Sequence, residues 1–156
     1  MQTLEQIAYD AGRSALADQE SLVAGIRQRT GTLLAAHALV ASFLGGATLR
    51  AQGLSPFGWV AVVALGIGLI VAAVLLAPWQ LRFAVDARKI YDKLYARASR
   101  EATAGTLIWL AEAGFIHQSL HEENAARVRC MSGLSGFLAA LMVCQTLAWL
   151  AALLIG

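Results

Sequence analysis

From Phe57 to Ala77 the chain runs without a polar side chain other than the indole of Trp59. A soluble fold of this size could not hide such a surface, so the segment reads as a span of a bilayer whose hydrocarbon core is about 30 Å thick. Pro78 and Trp79 close it, the proline by withholding a backbone donor and the indole by its preference for the interface. Two further apolar blocks stand on either side. Residues 32–49 form a shorter span inside a stretch that begins at Arg27 and ends at Arg50, and residues 133–155 form a third. Composition agrees: 58% of residues are hydrophobic and 14% charged, where soluble domains carry about a quarter charged. The expected fold is all-α, an integral membrane protein of three transmembrane helices.

The polar segments between and before the spans also carry helical spacing. In residues 3–30, Leu4, Ile7, Ala8, Ala11, Ala15, Leu22, Val23 and Ile26 recur at threes and fours, opposite Glu5, Arg13, Glu20 and Arg27. No proline separates this segment from the first span, so one helix can run from water into lipid, with Gly25 and Gly31 each weakening it by about 1 kcal/mol. Its apolar face is thin and alanine-rich, which favours packing on other helices over lying on anionic lipid. Residues 50–56 make a turn. In the charged block 80–129, Asp86 can cap a helix over 87–99, a small polar stretch at 100–105 reads as a turn, and a further helix with Leu107, Leu110, Ala111, Ile116 and Leu120 inward feeds directly into the third span. The cytoplasmic extensions are thus expected to form a small bundle of their own.

Orientation follows from the basic residues. Of the 12 lysines and arginines, only Arg50 falls on the side of the first turn and the C-terminus; the other eleven lie on the opposite side. That imbalance puts the N-terminus and the 80–129 block in the cytoplasm and the C-terminus outside a bacterial inner membrane. A formal net charge of +2 with no basic stripe argues against nucleic acid as a partner. The N-terminus lacks the basic-then-apolar order of a cleaved leader. Cys130 and Cys144 stand about 21 Å apart along one expected helix, too far to pair.

Few residues offer chemistry. His37 lies in the first span, where an ionisable group is a functional suggestion by default; it serves either as a neutral imidazole bonded to a neighbouring helix or as part of a wet or proton-sensing path. Gln145 and Thr146 in the third span either bond across helices or line a pore between subunits. His117 and His121 are four apart, a spacing that can share a metal, but HQSLHEE is not the HExxH pattern and no third ligand is evident. The expectation is no metal, no cofactor and no enzymatic activity: phosphate loop, nucleophile elbow and paired buried carboxylates are all missing from the sequence.

Several phrases together carry a family likeness: RTGTLLAAHALVASFLGG in the first span, PWQLRFAVD after the second, IYDKLY in the charged block, NAARV from Asn124, and QTLAWLAALL in the third span. With its architecture, the chain resembles small bacterial membrane proteins related to the Pycsar transmembrane effectors and, more loosely, the SLATT effectors. The resemblance covers most of the chain and rests on architecture and short phrases. It implies a phage-defence protein that forms a homo-oligomer in the inner membrane when triggered and impairs that membrane, with a cytosolic nucleotide or protein as trigger. In the Pycsar relatives the trigger is a cyclic pyrimidine mononucleotide. Arg88, Lys89, Lys93 and Arg97 could meet such an anion or a partner, and equally read as a solvated helix face beside anionic lipid. The alternatives are a regulatory membrane subunit that docks a cytosolic partner on 80–129, or a small oligomeric channel.

Overall fold

The structure, a computed structural model, describes residues 4–51, 53, 55–83 and 106–155. The expected helix over 87–99 and the turn at 100–105 lie outside these, as do Arg88, Lys89, Lys93 and Arg97. Helix α1 (Leu4–Val40) passes into a five-residue π turn (Ala41–Gly45) and then α2 (Gly46–Ala51); α3 spans Pro56–Leu76 and α4 Thr106–Ile155. There is no strand among the described residues. Three stretches are long and apolar enough to cross a membrane: Gln6–Ala51, Pro56–Leu76 and Leu110–Ile155. The chain is therefore an all-α protein with transmembrane-type helices. Gly25 and Gly31 interrupt nothing, since α1 continues through both.

Local chemistry explains the ends of α3. Ser55 accepts a hydrogen bond from the Gly58 N–H at 3.3 Å, and Pro56 occupies the first turn, where its missing N–H costs nothing. The turn before it reverses at Gly53, whose φ of 76° favours a residue without Cβ. At the other end Pro78 follows the last helical bond, Ala77 N–H to the Ala73 carbonyl, and the Trp79 indole N–H donates to the Val74 carbonyl at 2.9 Å. The tryptophan thus satisfies a carbonyl that the helix end leaves open.

The chain divides into two compact units. One comprises Met1–Val23 and Gln80–Arg129. Here α1 and α4 run side by side in the same direction and touch backbone to backbone: a Cβ on Gly12 would come within 2.4 Å of the Gly114 carbonyl oxygen. Tyr9 meets His117 edge to face at 5.6 Å. The extended segment after Trp79 is fastened to α4 by Asn124, whose amide accepts from the Arg82 N–H at 3.3 Å and donates to the Arg82 carbonyl at 2.9 Å. Arg127 adds a bond to the Gln80 carbonyl at 2.6 Å.

This unit corrects one expectation. The inward face of α1 is not the most apolar set: Ile7 and Leu22 are 49% and 50% exposed. Of the expected set Val23 and Ile26 are buried, and the rest of the buried line is Gly12, Leu16, Gln19 and Thr30, in alternating four-three spacing. The reason is distance. Where the helices come closest, at Gly12 and Gly114, a Cβ on either would clash with the other helix's backbone, and the neighbouring Ile7 is turned outward.

The second unit comprises Ala24–Trp79 and Cys130–Gly156. Along α3 the buried residues are Gly58, Ala61, Ala64, Gly68, Val71, Ala72 and Leu75. Mostly small, they let helices approach closely, which is how helices associate where lipid removes the hydrophobic drive. Ala61, Ala148, Trp149 and Ala152 form a packed cluster with Val40 and Leu44 against it. Outward stand Phe43, Trp59, Ile70, Leu147 and Leu154, each more than half exposed, as lipid-facing side chains do. The π turn re-phases this contact: in an unbroken α-helix Gly45 would sit about 80° away from His37 around the axis. One widened turn returns Gly45 to the buried line, where a Cβ would lie 3.0 Å from the Trp149 ring.

Candidate functional site

The most polar point inside the apolar helices is built by His37 from α1 and Gln145 from α4, 1% and 0% exposed. They bond reciprocally. The Gln145 Nε2 donates to the backbone carbonyl of His37 at 3.3 Å, which turns Oε1 toward the imidazole. Oε1 accordingly accepts from Nδ1–H of His37, a tautomer assigned from this network. The other ring nitrogen, Nε2, lies 3.4 Å from the Leu138 carbonyl. Gly68 of α3 makes room for the ring: a Cβ there would stand 3.2 Å from Cε1 and 3.3 Å from Nε2.

Thr146 does not join this pair. Its hydroxyl donates to the Met142 carbonyl at 2.8 Å, one turn back on its own helix, a habit of threonine in helices. Thr30, Ser42 and Thr48 do the same toward Ile26, Ala38 and Leu44.

A second pair of the same two residue types sits in the other unit with the helices exchanged. Gln19 of α1 donates from Nε2 to the His121 carbonyl at 3.2 Å, and His121 of α4 donates from Nδ1 to the Ala15 carbonyl at 3.2 Å. His117 uses its Nδ1 within α4, toward Ala113 at 2.7 Å. The two histidines therefore face carbonyls rather than each other, and among the described residues no three His, Cys, Asp or Glu side chains come together as a metal site would require. Cys130 and Cys144 are both free and exposed.

Sequence reasoning singled out His37 and Gln145 separately but missed Gln19, Asn124 and Trp149, all at most 5% exposed. The signal available for Gln19 was position: it continues the spacing 12, 16, 19, 23, 26, 30, a seam visible only when small and polar residues are counted with apolar ones. The Trp149 indole N–H is buried with no partner among the described residues.

Comparison with family models, with curated proteins and with solved structures returns no match for this chain.

Proposed function

We propose that this chain is a non-enzymatic membrane effector that associates with copies of itself in a bacterial inner membrane and permeabilises it. In this reading it serves in antiphage defence, as the proteins it resembles do. Its N-terminus and charged block face the cytoplasm, where a nucleotide or protein trigger meets them, and its C-terminus faces outward. One observation carries the mechanism. The one polar side-chain pair that joins two spans, His37 and Gln145, is bonded within a single subunit and at most 1% exposed, so it lines no aqueous path in one copy and any leak would form between copies. The large side chains that the spans leave exposed are available to lipid and to neighbouring subunits alike.

Induced expression with a potential-sensitive dye tests this. Depolarisation is expected when cells are challenged with phage, with its onset altered in His37→Leu and Gln145→Leu at matched expression. An unchanged membrane potential in challenged cells holding abundant wild-type protein would overturn it. A reporter fused after Gly156 is expected outside the cytoplasm; a cytoplasmic reporter would overturn the topology.

A further inference from the structure

The unit formed by Met1–Val23 and Gln80–Arg129 carries a cleft of about 490 Å³, within the size range of ligand sites. Four polar residues contribute to its lining, Asp18 and Gln19 from α1 and His121 and Arg129 from α4, with Leu22 and Val128 among the apolar remainder. Two features make it more than a crease between helices. Gln19 is 5% exposed and its Oε1 has no hydrogen-bond partner among the described residues. That amide cannot simply be turned over, because its Nε2 already bonds the His121 carbonyl. Second, His121 uses Nδ1–H toward Ala15, so in the neutral ring Nε2 is a lone-pair acceptor.

Among the cleft's lining residues Gln19, His121 and Asp18 offer acceptor atoms. Arg129 offers a guanidinium, two helical turns further along α4 than His121. Asp18 and Arg129 are both exposed, and among the described residues neither has an ion-pair partner. Arg129 stands four residues before the third span expected at 133–155, about 6 Å along the helix, which is the depth of the polar headgroups beside the hydrocarbon core. Helical side chains lean toward the N-terminus of their helix, so Arg129 leans back toward the acceptors.

We infer that this cleft holds the headgroup of an aminophospholipid, its phosphate on Arg129 and its primary ammonium on Asp18, Gln19 Oε1 and His121 Nε2. The proposal rests on the chain sitting in a bilayer and not on its permeabilising one. It requires a particular chemistry. Buried acceptors want N–H donors, so phosphatidylethanolamine fits. Phosphatidylcholine keeps the charge without any N–H, and phosphatidylglycerol keeps the phosphate without the cation.

The test is native mass spectrometry of the full-length protein, delipidated in detergent and then titrated separately with the three lipids of matched chains. Retention of the ethanolamine lipid is expected to exceed that of the other two by about tenfold, the order set by one charge-assisted hydrogen bond. Asp18→Asn and Arg129→Gln, both at exposed positions, are each expected to lower it by about the same factor, and Arg27→Gln, exposed and outside the cleft, to leave it unchanged. Equal retention of choline or glycerol lipid would overturn the inference, and so would an Arg27→Gln loss as large as that of Arg129→Gln. A further arm offers soluble O-phosphoethanolamine; binding as tight as the lipid's would assign the cleft to a free aminophosphate and overturn the lipid. A depolarisation assay is scored separately, so loss of permeabilisation with lipid selectivity intact would refute the effector function and leave this site standing.

Discussion

Replacing Gln145 by leucine exposes what the buried pair contributes. The His37 ring, 1% exposed, would lose its Nδ1 partner and be left in an apolar surround with only the longer, 3.4 Å approach of Nε2 to the Leu138 carbonyl, a cost of about 1–3 kcal/mol. Replacing His37 by leucine strands Gln145 Oε1 at a similar cost. A leucine at 37 is shorter than the imidazole, so it does not crowd Gly68. Removing both partners strands neither atom and forfeits only the net value of the bonds, about 1 kcal/mol. The two single changes should therefore sum to about 2–6 kcal/mol while the double change costs clearly less. Interhelical hydrogen bonds measured in membranes average about 0.6 kcal/mol, which sets the scale for the coupling.

The assay is reversible unfolding in mixed micelles followed by circular dichroism, with all four proteins in one detergent. A double variant whose destabilisation equals the sum of the singles, within the roughly 0.3–0.5 kcal/mol expected of independent sites, would refute the pairing. So would a Gln145→Leu protein as stable as the parent, since no buried donor would then have been abandoned.

Two other outcomes separate the contacts along α1 and α4. Gly12→Ala places a methyl within 2.4 Å of the Gly114 oxygen and should destabilise the first unit by about 1–3 kcal/mol, the usual cost of overpacking. Gly31→Ala meets nothing within 4 Å and should stabilise α1 by up to about 1 kcal/mol; opposite shifts in thermal midpoint check both. Asn124→Ala removes both bonds to Arg82, at about 0.5–1.5 kcal/mol each, and faster limited proteolysis between Gln80 and Phe83 with α4 intact is the expected sign.

The three apolar helices were legible because bilayer thickness acts on composition alone: no partner need be known to see that residues 57–77 avoid water. The face of α1 was not. Ranking by hydrophobicity chose Ile7 and Leu22, which point outward, over Gly12 and Gln19, which lie on the contact. At a close crossing the scarce quantity is room, and hydropathy does not measure room. The π turn was hidden for a related reason, since its use is to restore a phase that only the partner helix defines. His37 and Gln145 each stood out as polar groups in apolar surroundings, but their pairing joins positions 108 apart in the chain, which no local periodicity encodes.

The two histidine–glutamine pairs bear on how α4 can move against α1. A seam of small residues spaced by threes and fours looks nearly the same after a slip of seven, so packing alone specifies register weakly. A polar side chain on such a seam specifies it well, because a slipped partner leaves the polar atom buried and unmatched. Here Gln19 bonds the His121 backbone and Gln145 bonds the His37 backbone. Each glutamine belongs to a different helix, so the polar lock is doubled and its two halves point in opposite senses. A slide of α4 along α1 by one heptad must break both pairs, whereas a rotation or splaying confined to one unit breaks only one. Under the function proposed above, activation is expected to open one pair and keep the other, and a disulfide joining α1 to α4 beside a single pair distinguishes which of the two has to yield.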